Sequence, residues 1–225
     1  MNAQAQVDEA YSEDRTLRIE LKRELTSFGN EHTYLGEHEG ELIDSESGVH
    51  AGRSRVFIVD LEGAEEVGLS ALDVLDLDGA TEPYLSLIGK EAGNFSPAVM
   101  RLLNEEFAYS RNMLIIDRVE LLPFYRGRGL GLLCMRTFLR HMSMGCRIAA
   151  IKPYPLQFEA GAARSENWSD GLQLSSLTKS KRSALQRLKS HYSQLGFQHV
   201  RGTDLMILDL HARPLPGGIH DPDFV

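Results

Sequence analysis

The segment NMLIIDRVELL, residues 112–122, constrains the fold more than any other part of the chain. Its apolar residues are consecutive from Met113 to Ile116, so no alternation separates a dry face from a wet one. A strand of this kind is buried on both faces and belongs in the middle of a sheet covered from each side. Three glycines at alternate positions follow in Arg126-Gly127-Arg128-Gly129-Leu130-Gly131, which reads as a tight turn. The turn opens GLGLLCMRTFLRHM, where Leu132, Met135, Leu139 and Met142 form one apolar stripe at helical spacing. Strand, turn and helix in this order place the chain in the mixed α/β class.

Similar periodicities run through the rest of the chain. Residues 1–15 read as a tail outside the fold. In LRIELKREL, Leu17, Ile19, Leu21 and Leu25 alternate with charges, the pattern of a half-buried strand. TSFGNEHTYLGEHEG reads as a loop, and strands are expected at Glu41–Val49 and Arg55–Leu61. From Ser70 to Phe107 the apolar steps of three and four turn helical, with Ser96-Pro97 as a helix start. CRIAAIKPYP reads as a second buried strand stopped by its prolines. The polar stretch 159–180 reads as a long loop, SALQRLKSHYSQL as a helix closed by Gly196, and FQHVRG and DLMILDL as two short strands. The spacing therefore predicts one domain over residues 16–211 and an extended tail over 212–225.

Composition limits what such a domain does. With 42% hydrophobic and 25% charged residues, the chain has enough apolar matter for one sizeable core, which excludes a disordered or fibrous protein. No apolar run approaches the ~20 residues of a membrane helix. The acidic, polar start MNAQAQVDEAYSEDR does not resemble a secretory signal. Two cysteines, Cys134 and Cys146, cannot build a disulfide framework, so a reducing, cytoplasmic setting is expected. A net charge of −8 argues against nucleic acid as a partner, because counterion release needs clustered cations.

The glycine turn carries the chemistry. Glycines let the backbone bend sharply and let a ligand reach peptide groups without a Cβ in the way. The helix that follows offers free amides and the positive end of its dipole, and Arg126 and Arg128 add charge, which suits a pyrophosphate. The same turn could also serve only close strand–helix packing. Other phosphate motifs fail in detail. Leu132 and Cys134 stand where a dinucleotide fingerprint needs glycine, and Gly89-Lys90 is followed by Glu91 rather than Ser or Thr. The eight histidines show no metal-binding spacing, so no metal site is expected.

Arg126-Gly127-Arg128-Gly129-Leu130-Gly131 resembles the Arg/Gln-x-x-Gly-x-Gly/Ala signature of the GCN5-related N-acetyltransferase (GNAT) superfamily. Tyr192-Ser193-Gln194-Leu195-Gly196-Phe197 is similar to that family's helix-to-strand motif, Tyr-x-x-x-Gly-Phe. The two lie in family order with a buried strand between, and the resemblance covers about residues 111–210 as a CoA-binding half. Residues 16–110 depart from it, because here the helical stretch falls immediately before the central strand.

The resemblance implies a mostly antiparallel central sheet flanked by helices and splayed at the cofactor-binding strand. It implies acetyl transfer from acetyl-CoA to a primary amine of a small molecule or peptide. Arg126, Gly127, Arg128, Gly129, Leu130 and Gly131 would hold the pyrophosphate, and the backbone of Leu121 and Leu122 would pair with the pantetheine arm. Tyr192 matches the family's general acid for the leaving thiolate. It also shares a stripe with Leu185, Leu188 and Leu195, the pattern of a packed core tyrosine. Asp117 falls where the family often keeps its base, with a water chain as the competitor, and a regular strand would turn Glu120 to the opposite face. Trp168 reads as a lid anchor or a loosely packed aromatic. The basic run Lys179, Lys181, Arg182, Arg187 and Lys189 reads as a contact for the CoA 3′-phosphate or as a solvated face. Many family members are homodimers, though no segment here marks an interface. The alternative function is a non-catalytic acyl-CoA-binding regulatory module. An open cleft favours the enzyme, and a cleft plugged by residues 70–107 favours the module.

Overall fold

The structure is a computed structural model that describes residues 17–23, 31–90, 93–159 and 166–212. Both tails beyond these residues, and Leu25 of the first expected strand, lie outside them. Among the described residues, seven strands form one open sheet: β1 (Leu17–Arg23), β2 (Leu35–Asp44), β3 (His50–Val59), β4 (Met113–Leu121), β5 (Ile148–Ile151), β6 (Gln198–His199) and β7 (Met206–Asp209). Their order is β1-β2-β3-β4-β5-β7-β6. Only β4 and β5 run parallel; every other neighbouring pair is antiparallel. The strand expected to be central, β4, is the fourth of seven, and its Met113–Ile116 stretch is fully buried.

Helices cover both faces. Between β3 and β4 come α1 (Leu61–Glu66), α2 (Ala71–Leu75), a 3-10 turn (Glu82–Leu87) and α3 (Pro97–Leu103). They bury Val74, Leu75, Tyr84, Leu87 and Val99 against Phe57, Met113 and Ile115. On the other face α4 (Leu130–Met142) sets Leu132, Met135, Phe138 and Leu139 against Val56, Leu114 and Ile116. The expected helical stretch after Ser70 is thus broken into short pieces. A capping box between Ser70 and Asp73 starts α2, and Ser96-Pro97 starts α3.

Two strands begin and end earlier than the sequence suggests, with Asp44 and Val59 as their last residues and Leu61 already helical. β2 starts at Leu35, inside the expected loop, and β3 at His50. Glycines hide them, because Gly36, Gly40 and Gly52 occupy buried strand positions that carry no apolar side chain to read. Packing requires two of the three. A Cβ at Gly40 would stand 2.2 Å from Ser54 Oγ, and one at Gly52 2.2 Å from the Glu120 carbonyl oxygen. The expected loop 159–180 contains α5 (Glu166–Gly171) and a 3-10 turn (Leu174–Ser176). Helix α6 (Lys181–Ser193) is capped by the Ser180 hydroxyl, which accepts from the Ser183 amide.

Two irregularities in β4 set up the site. Arg55 pairs with Arg118 and Val56 with Ile116, so Asp117 is an extra residue, a β-bulge. On its other side β4 pairs with β5 only over Met113–Ile115. Beyond that point the two strands part.

Candidate active site

A cavity of about 990 Å³ opens where β4 and β5 part. Its lining includes β4 residues Ile116–Leu121, the turn residues Arg126, Gly127, Gly129, Leu130 and Gly131, and α6 residues Arg187, His191 and Tyr192. On the face covered by α1–α3 it reaches Asp78 and Tyr84. The cavity therefore passes from one face of the sheet to the other. Residues 78–84 form part of its wall, and the space stays open.

The glycine turn has the geometry its sequence suggests. Gly127 and Gly129 adopt φ of 74° and 76°, left-handed values that strain any residue with a Cβ. Gly129 caps α4, and the first helical bond runs from the Leu133 amide to the Gly129 carbonyl. The amides of Leu130, Gly131 and Leu132 are left without an intrahelical acceptor, at the positive end of a 13-residue helix. Gly131 has neither reason for being glycine. Its φ is not left-handed, and a Cβ there would meet only His191 Nε2 and Leu121 Cδ1, each at 3.9 Å. Close packing does not require this glycine, which lines the cavity.

The remaining residues singled out for the cofactor divide into two groups. Leu121, Arg126, Gly127, Gly129, Leu130 and Gly131 line the cavity, whereas Leu122 and Arg128 do not. The Leu122 amide donates to the Ala51 carbonyl at 2.9 Å and its carbonyl accepts from Tyr125 at 2.9 Å, so the fold uses both groups. If the Leu122 amide faces β3, strand alternation turns the Leu121 amide toward the gap. Arg126 donates through Nε to the Leu121 carbonyl (2.8 Å) and through Nη2 to the Leu172 carbonyl (2.6 Å). It ties the turn to the 166–177 segment with neutral partners, and burial pulls its pKa down. The Arg128 guanidinium stacks 5.2 Å from the Phe124 ring.

The bulge at Asp117 rearranges the charged side chains. It sets Arg118 and Glu120 opposite Arg55 and Arg53, so Glu120 does not turn to the opposite face as it would in a regular strand. Arg118 Nε donates to Asp117 Oδ2 at 2.8 Å, and Arg118 also meets Glu159 at 3.2 Å and Glu120 at 3.7 Å. Arg55 binds Glu37 at 2.5 Å, pairs with Asp78, and lies 3.8 Å from Asp117. Asp117 lines the cavity, and its Oδ1 bonds to no described residue.

Tyr192 is held by the helix spacing read from sequence, and it packs on the core beneath α4. Burial raises its phenol to about 12, so it carries its proton throughout the physiological range. Its hydroxyl makes no hydrogen bond to a described residue, which leaves the proton available. Of the basic run near α6, only Arg187 reaches the cavity lining. His191, one turn further on, sits beside it, and burial holds its pKa below 6.5.

Sequence reasoning missed Tyr84 and His191. His191 was readable, since it lies four residues after Arg187 and next to Tyr192 on a predicted helix. No local signal existed for Tyr84, because only the tertiary fold brings it to β4 and β5. Trp168 is an anchor: it is buried, donates through Nε1 to Glu120 Oε2 at 2.5 Å, and lies under the Arg53 guanidinium at 4.4 Å. Among the described residues no cluster of three or more His, Cys, Asp or Glu could hold a metal ion, and no helix is long and apolar enough to cross a membrane.

No protein-family model, curated protein or solved structure matches the chain.

Proposed function

We propose that the protein is a CoA-dependent acyltransferase, working in a cleft where its sheet divides. More particularly, we read it as a GCN5-related N-acetyltransferase that moves an acetyl group from acetyl-CoA to a primary amine of a small molecule or peptide. The observation that carries this reading is convergence: the glycine turn and Tyr192, some sixty residues apart in sequence, line one cavity beside an unpaired stretch of β4. Gly131 adds a test of fit, since its missing Cβ leaves room over amides suited to an anion.

Bound acetyl-CoA would supply an activated acyl group as its thioester. The amides of Leu130, Gly131 and Leu132 would hold its pyrophosphate, and Arg187 lines the same cavity. The Leu121 amide would bond the amide-rich arm as an added strand would. Asp117 Oδ1 would accept the proton that the amine loses as the C–N bond forms. Tyr192 would donate its proton to sulfur as the C–S bond breaks. Because Tyr192 stays protonated up to about pH 12, it is in the required state at neutral pH. The cavity left open beside residues 78–84 favours the enzyme over a non-catalytic acyl-CoA-binding module. Cys134 and Cys146 are buried thiols raised to about 12 and 11 by burial, so neither is poised as a nucleophile.

Thermal melts with acetyl-CoA, CoA and NAD in parallel test the reading. A ligand at 100 times its dissociation constant adds about 2.7 kcal/mol. Stabilisation by the CoA species and not by NAD is expected, followed by thiol release with an amine panel. No shift with any CoA species refutes it.

A further inference from the structure

We infer that the acyl acceptor is a dication: beside the amine that reacts it carries a second ammonium, held by Asp78 and Tyr84 in an acidic wall of the cavity. The inference rests on the acyltransferase reading above and names the substrate class of that same site.

Two arginines organise this wall. Arg55, on β3, donates through Nε to Glu37 at 2.5 Å, pairs through Nη2 with Asp78, and lies with Nη1 3.8 Å from Asp117. Arg118, on β4, donates through Nε to Asp117 at 2.8 Å and meets Glu120 through Nη1 at 3.7 Å and Glu159 through Nη2 at 3.2 Å. Every nitrogen of both guanidiniums therefore faces a carboxylate of the protein itself. A carboxylate on the acceptor would have to displace one of them. The charge balance points the same way. Five carboxylates meet these two guanidiniums, and Lys152, which also lines the cavity, adds a third positive charge. The wall keeps a surplus of two negative charges, and charges of one sign lining a cleft concentrate ligands of the other.

Tyr84 separates this wall from an ordinary solvated acidic face. It shares one short segment with Asp78, wound by bonds from the Thr81 amide to the Asp78 carbonyl (2.9 Å) and from the Tyr84 amide to the Thr81 carbonyl (3.0 Å). Tyr84 is 1% exposed, lines the cavity with Asp78 and Asp117, and its hydroxyl makes no hydrogen bond to a described residue. A hydroxyl buried so deeply normally has a partner. Burial keeps the phenol protonated above the ordinary tyrosine range, and the oxygen of a neutral phenol accepts N–H donors. Carboxylates and phenol thus present acceptors to one space. An ammonium, with three donors and no acceptor, satisfies them.

The two nitrogens of the acceptor then have separate roles. One attacks the thioester, its proton passing to Asp117 as the C–N bond forms, and sulfur leaves with the proton of Tyr192. The other stays an ammonium at Asp78 and Tyr84.

Titration calorimetry with tetramethylenediamine, butylamine and γ-aminobutyrate, each with and without acetyl-CoA, tests the subsite. The three share a four-carbon chain and an amine, and they differ in ending on an ammonium, a methyl group or a carboxylate. A hydrogen bond to a charged group is worth about tenfold in affinity or more. The diamine should accordingly bind at least about tenfold more tightly than butylamine, with γ-aminobutyrate weakest, and kcat/KM for thiol release should follow the same order. Asp78→Asn keeps an oxygen for the Ala80 amide, which donates to Asp78 Oδ1 at 2.7 Å. It should weaken the diamine about fivefold or more, and Asp78→Glu should restore most of the loss. Equal affinities for the three amines, no binding of any, or an undiminished diamine affinity in Asp78→Asn overturns the inference. A diamine preference in a protein that binds no acetyl-CoA supports the subsite and refutes the acyltransferase reading. Acetyl-CoA binding without a diamine preference refutes the subsite alone.

Discussion

Replacing Gly131 with alanine should stabilise the protein and weaken its ligand binding at the same time. Gly131 lies in the first turn of α4 with no left-handed φ, and the nearest atoms to an added Cβ are 3.9 Å away. Ordinary van der Waals contact at that distance carries no steric penalty. Alanine exceeds glycine in helix propensity by up to about 1 kcal/mol, less at a helix end, so a gain of about 0.5 kcal/mol is expected. For a domain of this size that raises Tm by about 1–2 °C. The same methyl group would fill the space above the Leu130, Gly131 and Leu132 amides, where a pyrophosphate would have to approach. Acetyl-CoA affinity should fall at least tenfold. Gly129→Ala is the comparison, because φ of 76° there makes alanine cost about 1–2 kcal/mol in the free protein. Melts of the three proteins, each with and without acetyl-CoA, separate the effects. If Gly131→Ala gains stability and binds acetyl-CoA as tightly as wild type, the helix end is not the phosphate cradle.

Further outcomes follow from the same geometry. Tyr192→Phe should lower kcat by about a hundredfold or more, in the range of general acid catalysis, while acetyl-CoA affinity stays within twofold; an unchanged kcat removes Tyr192 as the acid. His191 has a folded pKa below 6.5, so the unfolded chain binds its proton first, and the associated stability is present above about pH 6.5 and lost as pH falls below it. His38 contributes in the same sense. Denaturant melts at pH 8 and 5.5 should therefore show a smaller acid loss in His191→Gln than in wild type; equal losses would refute the assignment. Trp168→Phe should cost about 1–3 kcal/mol, because Glu120 is left buried without its indole donor, and should speed proteolysis near residue 168.

Residues 111–210 were more legible in sequence than residues 16–110, for physical reasons. β4 and α4 announce themselves because their buried positions carry large apolar side chains, consecutive in the strand and at helical spacing in the helix. β2 and β3 were read late at both ends because Gly36, Gly40 and Gly52 serve as buried residues, and a glycine in a sequence reads as a turn. The bulge at Asp117 was not legible, since one extra residue in a strand changes no composition, yet it decides which face Glu120 and Arg118 occupy. The site was half visible. The turn and Tyr192 lie in local motifs, whereas Tyr84 and the Arg55 and Arg118 ion pairs depend on elements far apart in the chain. Leu122 shows the converse, because its sequence position suggested a free backbone and the fold engages both of its groups.

The short ladder between β4 and β5 has a mechanical consequence. Strands β1–β4 and strands β5–β7 behave as two plates joined by three residue pairs at one end, like the arms of tongs. From Ile115 to Leu121 the free arm is about 20 Å long at roughly 3.3 Å per residue. A rotation of about 5° at the joint would move the arm's tip by about 1.7 Å, given that rise. Such a displacement is about a third of the ~4.8 Å spacing between strands and breaks no strand-to-strand hydrogen bond. The width of the slot can therefore change while every ladder of the sheet stays intact.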